Sequence, residues 1–71
     1  MRARLRPASL GDSGPDVRWA QEILGIAPAD GVLDAATATR IRGLQVVHNL
    51  PITGELDRET VEVLTCLTPR R

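Results

Sequence analysis

The chain has 71 residues and a mass of 7.7 kDa, which is enough for one small domain with a thin hydrophobic core. Nine arginines balance nine acidic residues without any lysine, and the formal net charge of zero argues against a general nucleic-acid binder. One cysteine and one histidine exclude an internal disulfide and a zinc site, so we expect no metal or other cofactor. We also expect neither a membrane span nor a signal peptide, because no long apolar run occurs and no apolar segment follows the first arginines.

The charges are unevenly distributed along the chain. Five of the nine arginines lie in the two end segments: Arg2, Arg4, Arg6, Arg70 and Arg71. The three N-terminal arginines alternate with other residues, so an extended chain would place them on one side. We interpret residues 1–9 as a basic N-terminal arm, residues 10–68 as the domain and residues 69–71 as a basic tail. The arm is either a solvated tail or a docking segment for an acidic or strand-edge surface of a partner.

Start and stop signals predict a first helix in the body of the chain. It begins at residues 13–16, where a proline suits the first turn and Asp16 favours the positive end of the helix dipole. Gly25, followed by Pro28, ends it. Its expected core residues recur every three or four positions: Val17, Ala20 and Leu24.

Two further helices are predicted after Asp34 and Asp57, which are suited to the N-cap position. The second helix ends near Asn49, and its expected inward residues are Ile41, Leu44 and either Val47 or His48. The third is bounded by Pro69, and its expected inward residues are Val61, Leu64 and either Leu67 or Thr65. The fold class is therefore all-α, a compact three-helix bundle with a short extended N-terminal arm.

A seven-residue pattern occurs twice, 23 residues apart. Residues 31–37 and 54–60 both read Gly-x-Leu-Asp-x-x-Thr. The glycine permits a turn, the leucine packs just before the N-cap, the aspartate caps the helix, and the threonine supports the cap. We therefore expect the same local device to start the second and the third helix.

Three segments carry a recognisable pattern of turns and helix starts. They are Leu-Gly-Asp-Ser-Gly-Pro-Asp-Val at residues 10–17 followed by Gln21, Asp-Gly-Val-Leu at residues 30–33 followed by Thr37, and Leu-Gln at residues 44–45 followed by His-Asn-Leu-Pro-Ile-Thr-Gly at residues 48–54. From about Leu10 to Leu64, in order and spacing, they resemble the peptidoglycan-binding domains. The resemblance implies a three-helix module of the kind appended to cell-wall hydrolases, where it holds the enzyme on peptidoglycan. We expect the matching residues Gln21 and Gln45 to satisfy backbone groups of the loops.

Four side chains are candidate ligand or partner contacts. Trp19, the single aromatic residue, either folds over the small Ala20 or contacts a sugar or a partner. Val46 replaces a residue that is usually polar in the family, so it predicts an apolar spot on the second helix. Arg40 and Arg42 either clamp the carboxylate of a stem peptide or remain solvated.

The remaining reactive side chains do not form a catalytic pattern. His48 lies near a helix C-terminus without a serine or cysteine partner in the sequence pattern. Glu55, Glu59 and Glu62 read as a solvated acidic face, and Cys66 is expected to be a buried or half-buried apolar residue. We therefore predict that the protein is not an enzyme.

Two classes of function follow from these patterns. The first is a non-catalytic module that binds peptidoglycan, placed at the cell wall. The alternative is a structural or assembly subunit, for example a bacteriophage virion or capsid decoration protein, that docks through Arg2, Arg4 and Arg6. A weaker third interpretation is an inhibitor or chaperone that acts as a prodomain does. None of the three implies a specific nucleic acid or a membrane as partner.

Overall fold

A computed structural model describes residues 7–67 of the chain. Three α-helices follow one another: α1 (Pro15–Leu24), α2 (Ala35–Val47) and α3 (Arg58–Leu67). Residues 7–67 contain no strand, and two isolated antiparallel bridges join Ala8 to Leu56 and Ser13 to Val32. The prediction of an all-α, three-helix fold is confirmed. The arginines of the predicted arm, Pro69 and the basic tail lie outside the described residues.

The starts of the three helices and the end of α1 lie where the sequence signals place them. The Asp34 carboxylate accepts a hydrogen bond of 2.9 Å from the Thr37 amide, and the Asp57 carboxylate accepts one of 2.9 Å from the Thr60 amide. Both aspartates therefore cap their helices as predicted. α1 ends at Gly25 in a left-handed conformation, with φ at 74°.

The three helices enclose a small core, and the leucine of each repeat belongs to it. Leu33 and Leu56, which precede the two N-caps, are buried beside residues from all three helices. Leu24, Leu44 and Val61 pack against this core while remaining partly exposed. The fully packed residues are few, as a chain of this length dictates: Ala8, Val17, Ala20, Leu33, Ala38, Ile41, Leu56 and Leu64.

Three predictions about the helix ends are wrong. Val47 is 79% exposed and His48 is exposed, so neither continues the inward stripe of α2. Leu67 is 50% exposed and Thr65 is exposed, so residues 65–67 of α3 are not part of the core. The core is too short to cover the last turns of these helices. Cys66 is exposed rather than buried, because it lies two positions after Leu64 and thus on the opposite side of the helix.

Residues 8–14, which contain a turn at Leu10 and Gly11, link the turn before α2 to the turn before α3 and are called the strap below. The Leu56 amide donates to the Ala8 carbonyl over 2.8 Å, which fixes the start of the strap to the turn before α3. The Leu33 amide donates to the Asp12 carbonyl over 2.8 Å, and this fixes its other end to the turn before α2. Ala8 is completely buried, so the packed domain begins before residue 10, where the sequence predicts its boundary.

Candidate functional site

The first turn, residues 30–33, is held by a buried glutamine of α1. The side-chain oxygen of Gln21 accepts a hydrogen bond of 2.8 Å from the Gly31 amide. Its side-chain nitrogen donates to the Val32 carbonyl over 2.9 Å and to the Thr37 hydroxyl over 3.1 Å. One amide group therefore satisfies the backbone of the turn and also contacts the threonine of the repeat.

The second turn, residues 53–56, is built in the same way from α2. The side-chain oxygen of buried Gln45 accepts from the Thr53 and Gly54 amides, each over 3.0 Å. Its side-chain nitrogen donates to the Glu55 carbonyl over 3.2 Å and to the Thr60 hydroxyl over 2.9 Å. The prediction that both glutamines satisfy loop backbone groups is confirmed.

An arginine lies over the glycine of each turn. Arg18 precedes Gln21 by three residues, and a Cβ placed on Gly31 would lie 3.6 Å from the Cβ of Arg18. Arg42 precedes Gln45 by the same interval, and a Cβ placed on Gly54 would lie 3.3 Å from the Cγ of Arg42. The repeated arrangement thus includes an arginine and a glutamine of the helix before each turn, which precede the seven-residue pattern in the chain.

A shallow, open groove of about 370 Å³ lies beside the first turn. Its walls come from the start of α1 and from the turn itself: Ser13, Gly14, Pro15, Arg18, Asp30 and Gly31. The Nε atom of Arg18 lies 3.7 Å from the Glu22 carboxylate, and the Arg18 side chain is 66% exposed. Because an exposed ion pair of this kind is weak, the guanidinium is available to an anionic ligand.

The family model for peptidoglycan binding domains matches residues 13–64. This range contains α1, both turns, α2 and α3 up to Leu64, which is well over half of the chain. The chain belongs to the peptidoglycan-binding domain family. Searches of curated proteins and of solved structures return no significant match.

The residues predicted as contacts occupy separate places in this peptidoglycan-binding domain. Trp19 is half-buried and packs against the core, while Val46 on α2 is 60% exposed. Arg40 donates to the Leu24 carbonyl at the end of α1 over 2.6 Å. Arg42 instead lies over the second turn, because residues two positions apart in a helix do not face each other. The structure therefore does not bring Arg40 and Arg42 together as a clamp.

No group of three or more histidine, cysteine, aspartate or glutamate side chains within residues 7–67 is arranged to hold a metal ion. In the same part of this peptidoglycan-binding domain, no helix has the length and apolar character needed to cross a membrane.

The N-cap carboxylate of Asp34 gives the fold a dependence on acid pH. Hydrogen bonds from the Thr37 amide, and then from its hydroxyl, lower the pKa of Asp34 below its ordinary value of 3.8. Because the folded state holds the proton less tightly than the unfolded state, this contribution to stability is fully present above about pH 4 and is lost as the pH falls through the lowered pKa.

We therefore expect Asp34→Asn to lose less stability on acidification than the wild type. Asparagine still accepts the cap hydrogen bond but does not titrate. Thermal melting followed by circular dichroism between about pH 2 and pH 6 checks this expectation. If the melting temperatures of both proteins fall in parallel below about pH 4, Asp34 does not contribute to the acid sensitivity.

Proposed function

We propose that this chain is a non-catalytic module that binds peptidoglycan and resides at the cell wall. The observation that carries the proposal is the family match, which spans all three helices and both turns. Stem peptides carry carboxylates, and the exposed Arg18 in the groove offers the guanidinium that pairs best with such groups. Binding therefore requires no chemistry beyond hydrogen bonds, ion pairs and apolar contact.

The acidic residues beside the turns favour binding over catalysis. Asp30 accepts hydrogen bonds from the Val32 amide and from Gln21, so it stabilises the turn. Asp34 and Asp57 are both engaged as N-caps. General acid–base catalysis needs a carboxyl group directed at a bound substrate, whereas these three carboxylates are directed at the backbone of their own turns.

Trp19, which is half-buried on α1, is the aromatic side chain that we propose contacts the glycan. We expect Trp19→Ala to weaken co-sedimentation with insoluble, purified peptidoglycan by about tenfold, which corresponds to about 1.4 kcal/mol of lost contact. Because Trp19 also packs against the core, Trp19→Leu is the matched variant that keeps apolar volume without the aromatic face. Melting curves of both variants verify that the bundle remains folded.

Salt separates recognition from simple charge attraction in this experiment. Nine arginines could attach the chain to anionic wall polymers without a specific site, and such binding would disappear at high salt. Saturable binding that persists in salt and weakens in both Trp19 variants supports the proposed function. Wild-type protein that stays in the supernatant at every salt concentration refutes it.

A structural subunit of a larger assembly, such as a bacteriophage particle, is the second candidate. The observation that favours it is the outer face of α2, where Val46 and Val47 are adjacent and both exposed. Adjacent exposed valines suit a protein contact better than a glycan contact. Light scattering after size exclusion distinguishes the two candidate functions. Self-association that is lost in Val46→Ser and in Val47→Ser supports the assembly role. A wild-type protein that is monomeric and binds peptidoglycan contradicts the assembly role.

A further inference from the structure

We propose that the duplicated turns form two equivalent arginine sites, which bind the carboxylates of two stem peptides on one peptidoglycan polymer. The first site is Arg18 over Gly31, and the second is Arg42 over Gly54. This inference rests on the proposed function and adds the ligand group and the number of sites. Its basis is the correspondence between the two turns in sequence and hydrogen bonding.

The correspondence extends through the helix that precedes each turn. Residues 17–21 and residues 41–45 both contain a buried apolar residue, an exposed arginine and, three positions after it, a buried glutamine. Both glutamines accept from the amide of the turn glycine and donate to a turn carbonyl and to the repeat threonine. Both arginines therefore begin at corresponding positions beside a turn, and the Arg18 side chain then extends towards Glu22 while the Arg42 side chain extends towards Thr39.

The turn glycines bring the arginine stems close to the backbone. Gly31 and Gly54 have φ values of +80° and +72°, which favour glycine, so neither position carries a Cβ that would keep the arginine away. The Nη1 atom of Arg42 would lie 3.2 Å from a Cβ on Gly54. The Arg42 stem, which lies on its turn, therefore loses less conformational freedom when a ligand binds than a stem that extends into solvent. At the first turn, the Cβ of Arg18 is the atom of that side chain that lies near Gly31.

Both guanidinium groups keep donors for a ligand. Arg18 has one exposed contact of 3.7 Å with Glu22, and the Nη2 atom of Arg42 donates to the Thr39 hydroxyl over 3.3 Å. A guanidinium has five N–H donors in a planar fork, and a carboxylate accepts two of them in parallel. Each arginine can therefore bind a carboxylate while it retains its contact with the protein.

Two equivalent sites on one rigid domain suit a ligand that repeats. Peptidoglycan is a polymer whose units carry the same peptide carboxylates, so one domain can contact two units. After the first contact forms, the second is intramolecular and takes place at a high effective concentration. Loss of one site should therefore weaken binding to the polymer more than binding to a single unit.

The test compares Arg18→Gln, Arg42→Gln and the double variant with Arg58→Gln. Glutamine keeps most of the stem over the turn and removes the charge. Arg58 is the matched control, because it is 91% exposed and forms a similar contact of 3.6 Å with Glu62, four residues later in its helix. Calorimetry with a soluble disaccharide–tetrapeptide counts the sites, and co-sedimentation with insoluble peptidoglycan measures affinity for the polymer.

We expect two disaccharide–tetrapeptides to bind the wild type and Arg58→Gln, one to bind each single variant, and none to bind the double variant. On the polymer, each single variant should bind at least about tenfold more weakly than Arg58→Gln. Glycan strands stripped of peptide, and wall phosphate polymers free of peptidoglycan, should not compete. Competition by the phosphate polymer would show that the arginines bind phosphate, and would overturn the assignment to peptide carboxylates.

Other outcomes separate this inference from the function on which it rests. Two outcomes would refute the paired sites and leave the binding function intact. In the first, the wild type binds peptidoglycan and both single variants bind it as tightly as Arg58→Gln does. In the second, the wild type binds one disaccharide–tetrapeptide instead of two. If the wild type does not bind peptidoglycan at all, the proposed function fails first. Melting curves verify that each variant is folded, and a double variant that is folded but unable to bind supports the assignment.

Discussion

Gln45→Met should lower the free energy of unfolding by about 3 kcal/mol, the largest effect we expect from one substitution. Methionine keeps the length of the side chain but provides no hydrogen bonds to the second turn. The Gly54 amide and the Thr60 hydroxyl, both in buried residues, would lose the hydrogen bonds that Gln45 makes to them. Each buried polar group left unsatisfied costs about 1–3 kcal/mol, against a total stability of about 5 kcal/mol for a domain of this size.

Urea unfolding followed by far-ultraviolet circular dichroism measures this effect. Gln21→Met should cost a similar amount, because Gln21 makes the equivalent hydrogen bonds to the first turn. Glu59→Met, at an exposed position of α3, is the control and should change stability by no more than about 0.5 kcal/mol. If Gln45→Met unfolds at the same urea concentration as this control, the second turn does not depend on the glutamine.

Gly31→Ala should destabilise the fold by about 2–3 kcal/mol, for two independent reasons. The φ value of +80° at Gly31 is unfavourable for alanine. The added Cβ would also lie 3.3 Å from the Gly14 carbonyl oxygen. This oxygen belongs to the strap, whose Gly14 amide donates to the Gly31 carbonyl over 3.0 Å, so it cannot move without disturbing that pairing.

Two other glycines separate the conformational cost from the steric cost. Gly25 has φ at +74° and nothing within 4 Å of an added Cβ, so Gly25→Ala should cost only about 1 kcal/mol. Gly43 lies inside α2 with open space around it, and Gly43→Ala should stabilise the protein by about 0.5–1 kcal/mol. The melting temperatures should therefore rank Gly31→Ala lowest and Gly43→Ala highest. A value for Gly31→Ala equal to that for Gly25→Ala would show that the strap yields to the added methyl group.

The features that could be predicted from the sequence are those with local causes. The N-caps at Asp34 and Asp57 and the end of α1 at Gly25 depend on residues within a few positions of each other. The role of Gln21 and Gln45 could be predicted from the family resemblance, because the matching positions serve the turns. Local chemistry thus predicts the helices and their order.

The features that were missed depend on contacts between distant parts of the chain. Helical periodicity extends past the point where the core ends. It therefore predicted an inward position for Val47 or His48 and for Leu67 or Thr65, and all four are exposed. The strap has no hydrophobic alternation, and only the buried Ala8 shows that it belongs to the domain. The correspondence between Arg18 and Arg42 was not predicted. The spacing from glutamine to turn glycine is ten residues in one repeat and nine in the other, so no single spacing relates the two helices to their turns.

The strap has a consequence for the order in which the molecule assembles. Each helix–turn–helix unit closes between residues that are 8 to 16 positions apart in the chain, as in the contacts of Gln21 and Gln45. The pairing of Ala8 with Leu56 instead closes a loop of 48 positions. Closing this longer loop costs more conformational entropy, which is lost before the stabilising contacts form. We infer that the two units form first and that the strap joins them late, so that the strap slows unfolding far more than it speeds folding.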